Sequence, residues 1–381
     1  MDVNARDENA PVRLATAEGM LHIRLDRPEA LNSLSLAMVR RLAAVLEAAR
    51  SDERVRLIVM TGSGSKAFCA GGDIKKVALL VHQGDRAAAE AFFREEYALD
   101  LSIHRYPKPV VVIAHGVTMG GGLGLAAGAD VVVATETTHM AMPETRIGFF
   151  PDVGATAWLY AKCPPGYPEY LALTGDDVRG AHAVRLGLAT HFVETAQIPN
   201  LLQALAQAAA ELPRKREEAA WRLREITSAF QSAVPLPQDP PMDAWVRTYF
   251  DGVSSVPKLL QDLSQCQEQS RLCDGVFRRL SERSPTAVAL TLALLRRQRG
   301  RALEEVFALD TRAACWMIGH HDFWEGVRAR LIDKDNQPRW HPARFDQVVS
   351  FGELEPFLRD EGGRGEGDLA CTRDSAGVVE R

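Results

Sequence analysis

Three segments are apolar along nearly their whole length: VRLIVMTG (55–62), PVVVIAHG (109–116) and ADVVVATE (129–136). Short apolar runs bounded by glycine and polar residues predict strands buried inside a sheet. A further segment, MLHIRLD (20–26), alternates apolar and polar residues, the pattern of a half-buried strand. Between the strands the spacing turns helical. Leu36, Val39, Ala43 and Leu46 recur on one helix face, and a helical stretch runs to about residue 104. Strands that alternate with helices through roughly residue 195 predict the α/β class with packed layers.

The character then changes. Residues 197–232 are rich in Ala, Leu, Glu and Arg without a strand signal, and residues 244–331 read as helices. Between them VPLPQDPPMD (234–243) predicts a linker or exposed loop. Ser284 before Pro285 predicts a helix start, with serine as cap and proline in the first turn. The expected organisation is a core over 12–200, a helical C-terminal region over 201–350, and a disordered Gly-rich tail over 361–381.

A net charge of −5 argues against a general nucleic-acid binder, which needs a basic face. No apolar run is long enough to span a bilayer, so no membrane partner is expected. The six cysteines form no C-x-x-C pair and no zinc spacing with histidine, which predicts no metal and reduced thiols. No signal peptide is visible. The acidity of Asp2, Asp7, Glu8 and Glu18 speaks against a mitochondrial transit peptide, and a cytoplasmic location is the expectation.

Two glycine clusters follow apolar strands: Gly71-Gly72 and Gly120-Gly121-Gly122. Glycine lets the backbone approach a ligand, and free N–H groups from two such turns could hold one developing oxyanion. Equally, the glycines could only allow close helix–sheet packing. Neither cluster has the order of a P-loop or a dinucleotide turn. Glu144 and Asp152 follow in MPETRIGFFPDVG, two carboxylates in an apolar segment. Beside an oxyanion hole they suit base or nucleophile chemistry on an acyl group; the plain alternative is a helix-start acid and a turn residue. His115 lacks a nucleophile motif, His320-His321 lacks a third metal ligand, and Glu95-Glu96 could be a solvated helix face.

RPEALNSLS, KAFCAGGDI, KPVVVIAHGVTMGGGLGL and MPETRIGFFPDVG, in this order, resemble the enoyl-CoA hydratase/isomerase (crotonase) superfamily. FFREEYALD (92–100), LALTGDDVRGAHAVRLGLATHFV (171–193) and GHHDFWEGVRARLIDKDNQPRWHPA (319–343) point to its hydrolase branch, and the likeness covers about residues 15–350. The resemblance implies a spiral of β-β-α turns with a helical C-terminal region. It implies an acyl-CoA substrate and an oxyanion hole from the N–H groups of Gly72 and Gly121. Glu144 matches a catalytic glutamate of the hydratases. Their other glutamate falls where this chain has Gly124, and the branch supplies an acid at Asp152 instead. Glu96 matches a substrate-binding acid. The implied reaction is hydrolysis of a short 3-hydroxyacyl-CoA such as 3-hydroxyisobutyryl-CoA, in valine breakdown. Hydratase or isomerase activity is the alternative, and a non-catalytic CoA binder is a more distant one. No cofactor is expected, CoA being part of the substrate. Charge alone places Lys66, Lys75 or Lys76 near the CoA phosphates. Members of the superfamily often form trimers, and the longer helical tail leaves the homo-oligomeric state open.

Overall fold

The computed structural model describes residues 10–348 except 235, 267 and 268, so the tail over 361–381 lies outside the described residues. Ten strands build two sheets: β1 (Val12–Ala17), β2 (Gly19–Leu25), β3 (Val55–Gly62), β4 (Ala67–Cys69), β5 (Val110–Ala114), β6 (Val117–Met119), β7 (Val131–Ala134), β8 (His139–Ala141), β9 (Val178–Arg179) and β10 (His191–Phe192). One sheet has the order β1-β2-β3-β5-β7-β10, the other β4-β6-β8-β9. β1 and β2 are an antiparallel hairpin, and β2, β3, β5, β7 and β10 run parallel.

The repeat is visible in the connections. β3 then β4, β5 then β6, and β7 then β8 each give one strand to each sheet before the chain turns helical. The helices are α1 (Leu36–Ser51), α2 (Ile74–His82), α3 (Arg86–His104), α4 (Gly121–Ala127), α5 (Ala155–Lys162), α6 (Tyr167–Thr174) and α7 (Ala181–Arg185). Among the described residues every regular element after β10 is helical: α8 (Ile198–Ala209), α9 (Arg216–Ser228), α10 (Pro240–Phe250), α11 (Val256–Ser264), α12 (Ser270–Ser281), α13 (Pro285–Gln298), α14 (Leu303–Met317) and α15 (His321–Val327), with a π turn over Arg328–Ile332 and short 3-10 turns at Thr195–Gln197 and Phe345–Gln347. This is the spiral of β-β-α turns with a helical C-terminal region.

Strand alternation explains the apolar runs. Successive side chains point to opposite faces. Leu57, Val59, Val111, Ile113, Val131 and Val133 pack on one side with Leu201, Leu205 and Leu223 of α8 and α9. Ile58, Met60, Val110, Val112 and Val132 face the main core on the other. Both faces are covered, so both sets are apolar; each fully buried aliphatic side chain contributes ~1.5–3 kcal/mol relative to exposure.

Three expectations need correction. The Pro-rich stretch 234–243 is not loop throughout: α10 starts at Pro240, with Asp239 accepting from the Met242 N–H at 3.2 Å. Proline suits a first helical turn, where its missing N–H has no partner to lose. The thiols are not all reduced, because Cys266 and Cys273 form a disulfide. Their Cα atoms lie 6.3 Å apart, which their spacing in sequence does not reveal. β1 and the two- and three-residue strands were not anticipated: β1 buries only Val12, so it lacks an alternating apolar face, and two or three residues carry no periodicity. The Ser284 cap is present, accepting from the Ala287 N–H at 3.0 Å.

Candidate active site

The turns after β4 and β6 meet. A β-carbon built on Gly121 would lie 3.5 Å from the Gly72 nitrogen and would collide with Glu96 Oε1. Glycine at 121 is what allows the backbone of one turn, the backbone of the other and a carboxyl group to share that space. Gly121 opens α4, so its N–H has no partner within the helix. Among the described residues neither the Gly72 nor the Gly121 N–H is used in a hydrogen bond. Two donors are thus left facing one small volume.

Three carboxyl groups line the same volume. Glu96 is 2% exposed on α3, Glu144 is 7% exposed at the start of the 3-10 turn Glu144–Ile147, and Asp152 is 6% exposed before α5. With Gly72 and Gly121 they line a cavity of about 290 Å³. Burial, with Asp152 adding, pushes Glu96 and Glu144 well above the usual carboxylate range. Asp152 is raised less, to about 6, by burial; the Tyr97 hydroxyl donates to its Oδ2 at 2.7 Å and favours the anion. Among the described residues no lysine or arginine pairs with any of the three. The group is therefore crowded with like charge, and protons must be shared within it.

The peptide after Asp152 is strained. Val153 has φ 51°, a left-handed conformation that costs a β-branched residue ~1–3 kcal/mol. Neighbours hold it there. Trp158 Nε1 donates to the Val153 carbonyl at 3.0 Å, and the Gly154 N–H donates to Asp310 Oδ2 at 2.8 Å. Asp310, on α14, is itself fixed by Gln298 Nε2 at 2.9 Å. A helix far along the chain thus braces the Asp152 loop.

The Glu144 turn is braced from the same region. The Ser284 N–H donates to the Thr145 carbonyl at 3.2 Å, and the Ser284 hydroxyl donates to Asp322 Oδ2 at 2.5 Å. α15 crosses the turn backbone to backbone at Gly148 and Gly326. The π turn then carries Arg330 and Leu331 into the cavity wall, with Asn336 beside them.

All five predicted site residues meet in one cavity. Lys66, Lys75 and Lys76 do not line it, and all three are exposed. His115 holds the Gly64 carbonyl at 2.9 Å, His320 caps α15 and His321 meets the Arg339 carbonyl at 2.9 Å, all structural roles. Asp100, Asp310, Tyr97 and Arg330 were missed. For Asp100 and Asp310 a signal existed: each sits on the apolar stripe of its helix, among Ala89, Phe92, Phe93 and Ile103, or Val306, Phe307, Ala313 and Met317. An acid on a buried stripe marks a place where burial is compensated or used. Asp100 also explains position 124. A β-carbon on Gly124 would lie 2.6 Å from Asp100 Oδ2 and 2.9 Å from Val153 Cβ, so no carboxylate fits there.

A profile of the family described as Enoyl-CoA hydratase/isomerase matches residues 20–353. The chain is 37% identical over 348 residues to the Gallus gallus protein named 3-hydroxyisobutyryl-CoA hydrolase, mitochondrial, covering 90% of this chain and 87% of that one. The human protein of the same name is 35% identical over 334 residues, covering 86% and 83%. Among solved structures, a carnitinyl-CoA dehydratase from Mycobacterium thermoresistibile and an enoyl-CoA hydratase from Rhodobacter sphaeroides 2.4.1 each align with TM-score 0.81 at 32% identity, covering 92% of this chain and 97% of theirs. The cytoplasmic expectation is overturned, because these curated relatives are named as mitochondrial enzymes. It rested on thiol chemistry and on four acids near the N-terminus, and neither is a compartment signal.

Proposed function

The chain belongs to the enoyl-CoA hydratase/isomerase family, and on that premise we propose that it hydrolyses the thioester of 3-hydroxyisobutyryl-CoA, or of a similar short 3-hydroxyacyl-CoA, to the free hydroxy acid and CoA. The observation that carries this reading is the placement of the second acid. Position 124 is glycine with Asp100 filling its side-chain space, while Asp152 faces the cavity opposite Glu144. The structural neighbours titled hydratase and dehydratase support a shared thioester platform. The names of the curated relatives and the moved acid favour hydrolysis. The acyl group keeps the branched carbon skeleton of decarboxylated valine, which fits a step of valine breakdown.

In this scheme the thioester carbonyl accepts from the N–H groups of Gly72 and Gly121. Glu144 and Asp152 share one proton, with the negative charge favoured on Asp152 by the Tyr97 hydroxyl. A water gives its proton to the pair and its oxygen bonds to the carbonyl carbon. The two N–H donors hold the charge that gathers on the carbonyl oxygen. The C–S bond then breaks, and CoA leaves as the thiol with a proton from the pair. Glu96 takes the substrate hydroxyl. No cofactor enters, because CoA is part of the substrate. Direct attack by Glu144 would instead form an anhydride. Label found in the Glu144 carboxyl after a single turnover in ¹⁸O water identifies the anhydride route, because only water attacking the Glu144 carbonyl carbon of the anhydride puts its oxygen there.

The test is release of free thiol from (S)-3-hydroxyisobutyryl-CoA, run beside hydration of crotonyl-CoA. Fast thiol release with little hydration is expected. Hydration without thiol release would sink the hydrolase reading. The pH profile adds a check. Asp152 must be anionic to take the proton, so kcat/KM is expected to fall as pH drops through about 6. Removing the donor in Tyr97→Phe destabilises the anion and raises that pKa, so the limb moves to higher pH. A limb that stays in place would take Asp152 out of the proton transfer.

A further inference from the structure

We propose that Arg146 and Arg330 form an anion site on the outer wall of the cavity that holds a phosphate of the CoA moiety. This rests on the acyl-CoA reading above. Both side chains line the cavity that holds Glu96, Glu144 and Asp152. Among the described residues the Arg146 side chain, two residues after Glu144, makes no ion pair or hydrogen bond; only its backbone N–H is used, on the Pro143 carbonyl at 2.9 Å. The Arg330 side chain is only 9% exposed, and its buried Nε has no hydrogen-bond partner. An Arg330 terminal nitrogen donates to Asn336 Oδ1 at 3.0 Å, which fixes the guanidinium, and the nearest acid, Glu282, stands 3.9 Å away. Asn336 is held in turn in a left-handed conformation, φ 58°, with its N–H on the Ala329 carbonyl at 3.0 Å.

A guanidinium buried with an idle donor is costly unless something negative completes it. Here a second cation makes the cost larger. Arg283 lies behind the pair, bound to the Thr174 carbonyl at 2.8 Å, and burial together with Arg146, Arg279 and Arg330 lowers it to about 10. Asp176 pairs with Arg279, which leaves Glu282 and the more distant Asp335 facing Arg146, Arg283 and Arg330.

The position of the anion on the substrate follows from charge. The acyl group must sit at the three carboxyls, where a second negative group would be repelled. The arginines therefore meet the thiol side of the thioester. On that side the anionic groups of the substrate are the phosphates of CoA, and arginine matches phosphate with paired N–H donors. The exposed lysines of the 66–75 loop are outside the cavity wall.

The experiment measures CoA binding by calorimetry, without turnover, and KM for one hydroxyacyl group carried on CoA and on pantetheine, which lacks the phosphates. Wild type is compared with Arg146→Gln, Arg330→Gln and the double variant. CoA Kd is expected to rise ~10-fold per arginine lost, and the KM preference for the CoA thioester over the pantetheine thioester to shrink with it. Should Arg330→Gln unfold the π turn, Arg330→Lys keeps the charge and is expected to retain part of the preference. Unchanged CoA binding in the double variant overturns the proposal. Equal loss for both thioesters overturns it as well, since it would make the arginines part of the cavity shape only. Loss on Lys66→Gln with none in the double variant would move the phosphate to the 66–75 loop. If wild type binds CoA through the arginines yet releases no thiol, the site stands and the hydrolase reading falls.

Discussion

Replacing Glu144 by Gln is expected to lower the rate of thioester cleavage by ~10²–10⁴-fold while CoA still binds. The side chain keeps its volume and its place against the cavity, so the turn Glu144–Ile147 and its supports from α13 and α15 have no reason to move. What disappears is the group that shares a proton with Asp152. Asp152 remains as a base, but glutamine cannot give a proton to the leaving sulfur. Removing a raised-pKa acid also relieves like charge in the cavity, so the variant should be at least as stable as wild type. Thermal denaturation and CoA titration of the same preparation separate lost chemistry from lost structure. A variant that turns over within a few-fold of wild type would remove Glu144 from the reaction.

Gly121→Ala is expected to cost ~10²–10³-fold in kcat, the magnitude of losing one oxyanion donor. The added methyl group would collide with Glu96 Oε1 and lie 3.5 Å from the Gly72 nitrogen, an ordinary contact. Either Glu96 or the Gly121 backbone must shift. If the Gly121 backbone yields, the two N–H groups no longer point at one oxygen. If Glu96 yields, the acid proposed to take the substrate hydroxyl is displaced and KM rises. Rates on a thioester without the hydroxyl tell these apart, because only the second effect disappears with it. Near-normal turnover on both substrates would show that the hole does not depend on this backbone.

The strongly apolar strands were legible because both their faces are buried, so pattern and environment agree. Glu144, Asp152, Glu96 and the two glycines were legible from motifs whose order in the chain matches the order in which the spiral delivers its turns to one cavity. The short strands β4, β6, β8, β9 and β10 were not, since two or three residues specify no pattern and owe their extended form to the neighbours they pair with. The disulfide was not, because a sequence separation of 7 does not by itself make two cysteines neighbours in space.

Residue order alone determined the class of the fold, the family and the absence of an acid at 124. Local patterns carry these because periodicity and residue type act within a few neighbours. Tertiary structure alone decided that Asp100 fills the space beside Gly124, that Asp310 braces a strained Val153, and that Arg330 reaches the cavity. Each joins groups 24, 157 or nearly 180 residues apart or more in the chain, and only packing sets such distances. The same packing sets the proton affinities: Asp152 near 6 and Glu144 higher follow from burial and one tyrosine hydroxyl, which no spacing in the chain expresses.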